Sequence, residues 1–494
     1  MDREDAQRRV GSAQSVKVAG ISIEGVETMQ IRTHCRWLVT LVAVAACACV
    51  SADDIEVTGP ITLGSQGAPF SAPTVDVAAR GYIVEEYFLT GRASAYRNVD
   101  GAEQTADGRW STEREPTAEP FKTRILVVRP AANRDFNGTV IVHWQNVTAG
   151  YELGSVTDSE YLRGYAWVGV SAQAVGVNGF PGPDAAGLMQ WDAERYGTLN
   201  HPGDAYSYDI FSQAGAVVGT DRPARDNDPM GGLNVRHLVA AGASQSASRL
   251  RTYINGVHSH AQVFDGYIPY IDFASTIDFA ADKGGQRRGR RATRVRDDLG
   301  VPVFVVNSET ETQAYVGGRQ PNTDQFRFWE VAGTSHVSMP RATAASAPGL
   351  DSPNWLSYTP VYDAALRHMH VWLTEGTLPP TMPLIETETG ATIKRDERGN
   401  AIGGIRLPDI SVPTAAHNGF GTPVEGGSRF AFLYGTARDF SDGELAELYP
   451  TRSAYLAKYD AALAQAIDAG YVLAEDGPRL KETAAAWAAR LPEE

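Results

Sequence analysis

The stretch that decides the fold is His237-Leu-Val-Ala-Ala-Gly242-Ala-Ser244-Gln-Ser246-Ala-Ser248-Arg-Leu250. Residues 238–241 form a continuous apolar run, the pattern of a strand buried on both faces. Small residues follow, and 247–254 are compatible with a helix. The order strand, sharp turn, helix puts Ser244 at the apex. Such a turn needs small side chains two positions either side, because the chain doubles back and the flanks nearly collide. Gly242 and Ser246 meet that need, although serine is bulkier than the glycine usual at the second position. A hydroxyl displayed this way is a poor nucleophile until a neighbouring base takes its proton. The rest of the chain must therefore supply that base.

Outward from the turn, eight runs rich in β-branched and aromatic residues read as strands: 82–89, 123–128, 139–144, 166–171, 238–242, 263–268, 301–306 and 326–331. Helix-compatible segments lie between and after them, notably 206–218 and 362–373. The alternation predicts an α/β fold with a mostly parallel eight-stranded sheet and helices on both faces. Residues 172–205, rich in Gly, Pro and Asp, are expected over the carboxyl edge of the sheet, where open α/β sheets bind ligands. Trp191, Tyr206 and Tyr208 are candidates there for lining a pocket. Residues 375–430 are Pro- and Gly-rich, and 442–490 are Ala-, Leu- and Glu-rich and helical. The expected organisation is a core over 53–375 with a C-terminal extension, 376–494, packed on it.

Two late strands end in titratable groups. Run 301–306 leads into Asn307-Ser-Glu309-Thr-Glu311, and run 326–331 into Ala332-Gly-Thr-Ser-His336. Serine, acid and histidine thus follow in chain order, each just beyond a strand end. His336 would take the serine proton and return it to the leaving group. A carboxylate would fix the imidazole tautomer and stabilise the imidazolium. Glu309 and Glu311 are both candidates for that acid, with a slight preference for Glu311. An oxyanion hole is expected from the backbone N–H of Gln245 and one from the loop after 139–144, with Asn146 preferred and Gln145 or Val147 one step away. Ser246 and Ser248 are expected as helix-start residues. His258/His260 and His368/His370 are spaced two apart, so on a helix neither pair shares a face for a metal. Neither a metal nor an organic cofactor is expected.

The 494 residues carry 44 Lys and Arg against 59 Asp and Glu, a formal net charge of -15. An acidic chain of this kind is not expected to bind nucleic acid. The basic run 284–291 reads as a solvated loop. At the N-terminus, Arg32 and Arg36 precede an apolar run, 37–50, then Ser51-Ala52. That is the pattern of a signal peptide, with 1–28 an upstream extension and Met29 the true start. The run is too short for a comfortable membrane span. The expected product is exported, periplasmic or extracellular. All three cysteines, Cys35, Cys47 and Cys49, lie in this leader. Val44-Ala-Ala-Cys47 also resembles a lipoprotein box, so a lipid anchor at Cys47 is the alternative.

Three segments together resemble a family of exported bacterial α/β-hydrolase-domain proteins. They are His201-Pro-Gly-Asp-Ala-Tyr-Ser-Tyr-Asp-Ile-Phe211, Gly242-Ala-Ser-Gln-Ser246 and Phe326-Arg-Phe-Trp-Glu-Val-Ala-Gly-Thr-Ser-His336. The resemblance covers about residues 55–430. It implies an α/β-hydrolase fold and a site at Ser244, Glu309 or Glu311, and His336. The expected activity is hydrolysis of a small-molecule carboxylic ester through an acyl-enzyme. Amide, lactone or polyester cleavage, or a catalytically silent binding protein of the same fold, are the alternatives.

Overall fold

A computed structural model describes residues 52–493, apart from Asp158, Asp184, 280–291, 342–348, Pro423, Glu425, Gly426, Ser428 and Arg429. Its strands are β1 (Glu56–Thr58), β2 (Tyr82–Asn98), β3 (Thr112–Pro130), β4 (Thr139–Trp144), β5 (Ala166–Val170), β6 (His237–Ala243), β7 (Gly266–Tyr270), β8 (Val303–Ser308) and β9 (Phe326–Val331). They form one sheet in the order β1-β2-β3-β5-β4-β6-β7-β8-β9. β1, β2, β3 and β5 pair antiparallel. From β5 through β4 to β9 every pairing is parallel. The sheet is therefore nine-stranded rather than eight-stranded. The extra edge strand, β1, has three residues and buries only Val57, too little to leave a pattern. β2 and β3 also run on beyond the expected segments as a long hairpin, polar and mostly exposed on the β3 side but burying Ala93 to Tyr96 on the β2 side.

β4, β8 and β9 bury all six of their residues, as strands covered on both faces must. The pleat then sorts side chains. His143 pairs with Ala241, and Ala243 with Tyr270, so these four share one face. Trp144 and Gly242 point to the other face. There Trp144 packs 4.7 Å from Phe211 of helix α1 (Ser207–Val218). Helix α2 (Gln245–Gly256) follows β6 directly. On the His143 face, helix α3 (Thr359–Glu375) brings Tyr362 to 4.3 Å from Tyr270.

C-terminal to the sheet, Ile405 bridges in parallel to Val331 at the end of β9. β10 (Ala415–Asn418) and β11 (Thr436–Asp439) form a separate antiparallel pair. Helices α4 (Asp442–Leu448), α5 (Arg452–Asp468) and α6 (Gly477–Ala488) bury Leu445, Tyr459 and Leu480 against the core that α3 covers. Among the described residues no helix is long and apolar enough to cross a membrane. The segment read as a leader, with Cys35, Cys47 and Cys49, and the basic run 284–291 lie outside the described residues.

One buried corner ties the turn to the strands beside it. Asp272, just beyond β7, is fully buried and pairs with the fully buried Arg251 of α2. Arg251 also donates to the Thr293 carbonyl and the Tyr315 hydroxyl, at 2.8 and 2.9 Å. Asn307 of β8 accepts from the Asp272 N–H at 2.8 Å and donates to its carbonyl at 2.9 Å. Removing the carboxylate would leave a buried guanidinium without its counter-charge, a loss of about 3–5 kcal/mol. Asp272→Ala is therefore expected to lower the unfolding free energy by that amount in a urea titration. A loss below about 1 kcal/mol, the level of an exposed pair, would contradict this role.

Candidate active site

Ser244 stands between β6 and α2 with φ 57° and ψ -112°, a positive-φ conformation outside the regions serine ordinarily adopts. Its N–H donates to the Tyr270 carbonyl at 3.1 Å, and its carbonyl accepts from the Ser248 N–H at 3.1 Å. A Cβ added to Gly242 would lie 3.0 Å from the Ser246 carbonyl oxygen and 3.3 Å from its Cβ. This is the crowding inferred from the sequence, and Ser246 fits within it. Ser246 is itself fully buried, and Ser248 Oγ sits 2.7 Å from Ser275 Oγ. Neither lines the cavity that Ser244 faces. Backbone strain of this kind costs on the order of 1–3 kcal/mol. Ser244→Gly is expected to return about 1 kcal/mol of it after glycine's own entropic cost, seen as a raised Tm in calorimetry.

The two glutamates after β8 have separate surroundings. Glu309–Glu311 form one 3₁₀ turn capped by Ser308. Glu311 Oε2 accepts from the Ser308 N–H at 2.9 Å and from its hydroxyl at 2.6 Å. Its other oxygen lies 2.6 Å from His336 Nδ1, with both side chains buried. Glu309 instead accepts from the N–H groups of Gly333 and Gly419, at 2.7 and 3.0 Å, and pairs with Arg395 at 2.6 Å. His336 is held further by its own N–H, which donates to Thr310 Oγ1 at 2.9 Å. The Phe273 ring stacks on its imidazole at 5.3 Å. A Cβ on Gly419 would fall 2.7 Å from the Thr310 nitrogen, so the C-terminal segment fits closely against this turn.

Ser244 and His336 line one cavity of about 420 Å³, within the range of small-molecule sites. His143, Tyr270 and Tyr358 form part of its wall, and Leu433 and Tyr434 reach it from the C-terminal segment. The expected aromatic candidates are elsewhere. Trp191 packs edge-on to Phe70 at 5.2 Å. Tyr208 is fully buried beside Trp144, and Tyr206 packs against the same core. Among its described residues, none of the 172–205 segment lines this cavity. Its Asp204 acts from below the turn. That carboxylate pairs with Arg249 at 2.6 Å and accepts from Gln173 Nε2 at 3.3 Å, and Gln173 Oε1 accepts from Gln245 Nε2 at 3.0 Å.

Gln245 is the first residue of α2, where backbone N–H groups have no partner within the helix. The backbone of Asn146 corrects the sequence expectation. Its N–H is committed to the Leu153 carbonyl at 3.3 Å, and Gln145 N–H to Val170 at 3.2 Å. The Asn146 side chain instead donates to the Ala243 carbonyl at 3.0 Å and accepts from Thr148 N–H at 2.9 Å, bracing the turn. Among the described residues Val147 N–H donates none of the loop's hydrogen bonds, and the buried Thr148 hydroxyl has no partner.

The sequence reading missed His143, Tyr270 and Thr148. His143 left a signal, as the one ionisable residue in the apolar run Thr139-Val-Ile-Val-His143-Trp144. The spaced histidines are held singly. His258 contacts the Tyr267 hydroxyl, and His370 the Thr139 hydroxyl. Among the described residues no group of three or more His, Cys, Asp or Glu is placed to hold a metal ion.

A mostly parallel sheet flanked by helices, with a strained serine turn after one strand and an acid and a histidine after two later ones, has the architecture of an α/β hydrolase. The family described as an alpha/beta hydrolase domain matches residues 57–482, and the chain belongs to it. No curated protein matches the sequence. Solved structures with some likeness include one of two fungal esterases from Rhizomucor miehei, at 11% identity and TM-score 0.28, covering 58% of this chain and 82% of that one. Esterase Est22 is 12% identical with TM-score 0.25, over 51% of this chain and 72% of its own. A puromycin-hydrolyzing peptidase of Mycobacterium tuberculosis is 12% identical with TM-score 0.26, over 51% and 42%. Similarity at this level carries no argument about substrate.

Proposed function

We propose that the protein is a serine hydrolase that cleaves a small carboxylic ester through an acyl-enzyme. The observation that carries this reading is the buried 2.6 Å contact between Glu311 and His336, at the cavity that Ser244 also lines. In this reading Glu311 holds the imidazole proton on Nδ1, leaving Nε2 free to accept the Ser244 proton as Oγ attacks the ester carbonyl. The oxyanion that forms would be met by Gln245 N–H and by Val147 N–H or the Thr148 hydroxyl. His336 then protonates the departing alkoxide, and water repeats the sequence to release the acid. Glu309 serves as scaffold, tying the turn to Arg395 and Gly419.

The test is rapid mixing with p-nitrophenyl esters of short acids. The expected result is a burst of nitrophenol stoichiometric with enzyme, and an intact-mass increase equal to the acyl group. Release no faster than in buffer would favour the silent binding protein instead. We also propose that residues up to 52 form a cleaved leader, that 53–375 make the core, and that 376–494 complete it. N-terminal sequencing of secreted protein should then begin at Asp53.

A further inference from the structure

Inside the candidate cavity lies a polar pair that the proposed chemistry does not use. His143 Nε2 is 3.0 Å from the Tyr270 hydroxyl, and both residues line the cavity. His143 is 3% exposed, and its Nδ1 is buried without a partner among the described residues. A Cβ placed on Gly154 would lie 2.7 Å from Gln145 Oε1 and 3.5 Å from His143 Cε1, so the Gln145 amide lies beside the ring edge between the His143 nitrogens. Burial pushes the His143 pKa down to about 4, which keeps the ring neutral at working pH.

Counting protons then gives a definite result. A neutral imidazole has one N–H and one bare nitrogen, and a phenol has one O–H. If Tyr270 donates to Nε2, the proton left over is on His143 Nδ1. If Nε2–H donates to Tyr270, the proton left over is the phenolic one. In either arrangement one neutral donor is unspent, and leaving it unmatched in a buried site is costly. Among the described residues no lysine or arginine lines the cavity.

Resting on the serine hydrolase reading, we infer that the substrate carries a second, uncharged oxygen acceptor (a keto, ether or hydroxyl oxygen) that the His143–Tyr270 pair recognises. Two matched pairs of esters test this. p-Nitrophenyl 4-oxopentanoate against the pentanoate places the oxygen on the acyl side, and 3-oxobutyl against butyl pentanoate places it on the alcohol side. The expected result is a preference of about tenfold in kcat/KM for the oxo ester in at least one pair, the worth of one neutral hydrogen bond. In the double variant His143→Leu/Tyr270→Phe that ratio should fall to about one, whatever happens to the absolute rates. A purely structural pair would slow both esters alike and leave the ratio intact. That result overturns the inference, as does a wild-type ratio of one in both pairs. Should the double variant not fold, Tyr270→Phe alone must shift the ratio at least about threefold, and an unchanged ratio overturns the inference equally. Fluorophosphonate labelling of wild type separates the two layers. Labelling of Ser244 without any oxo preference removes only this inference, whereas no labelling removes the hydrolase reading and this inference with it.

Discussion

Ser244→Ala is expected to lower kcat for ester hydrolysis by at least about 10⁴-fold, because alanine leaves His336 and Glu311 with no nucleophile to activate. The fold should be indifferent to the loss. Alanine keeps the Cβ that strains the turn at φ 57°, so it gains none of the relief expected of Ser244→Gly. Glycine and alanine at this position should thus be equally inactive and differ in Tm. Equal stability of the two would mean that the serine conformation is not strained. Steady-state rates and calorimetry on the same preparations read both effects.

Glu311→Gln is the second large loss, expected at about 10⁴-fold in kcat. The size follows from how the carboxylate is divided. One oxygen accepts from both the Ser308 N–H and its hydroxyl, and the other faces His336 Nδ1. An amide must keep its oxygen toward Ser308, since its NH₂ would oppose the Ser308 N–H. The NH₂ then faces Nδ1 and drives the imidazole proton to Nε2, where it blocks acceptance from Ser244. Glu309→Gln has a different expected signature. One amide end must meet a backbone N–H of Gly333 or Gly419, and the Arg395 pair is lost. That change should cost about 1–3 kcal/mol of stability and less than about tenfold in kcat. Reversal of the two patterns would reverse the roles assigned to the glutamates.

The strands were legible because a sheet covered on both faces demands apolar runs, and β4, β6 and β8 have them. β1 was not, since a strand with one buried side chain carries no pattern. The distinction between the glutamates was present in the sequence as Ser308-x-x-Glu311, a capping-box spacing that commits the second glutamate to its own turn. Position after the strand alone gave only a slight preference. Whether the Asn146 N–H is free could not be read, because its partner, the Leu153 carbonyl, is set by how the loop closes on itself. The cavity walls were least legible. Aromatic residues expected at the pocket, such as Tyr208, pack in the core, whereas Leu433 and Tyr434 arrive from the far C-terminal segment. Composition does not distinguish an aromatic that fills a core from one that lines a cavity.

The central claim is that Ser244 is an activated nucleophile, and a fluorophosphonate adduct mapped by peptide mass tests it most directly. Protein from Asp53 onward should carry one adduct, on Ser244, that is lost in His336→Ala and strongly slowed in Glu311→Gln. An adduct on Ser246 or Ser248, or no adduct on folded protein, would contradict the account.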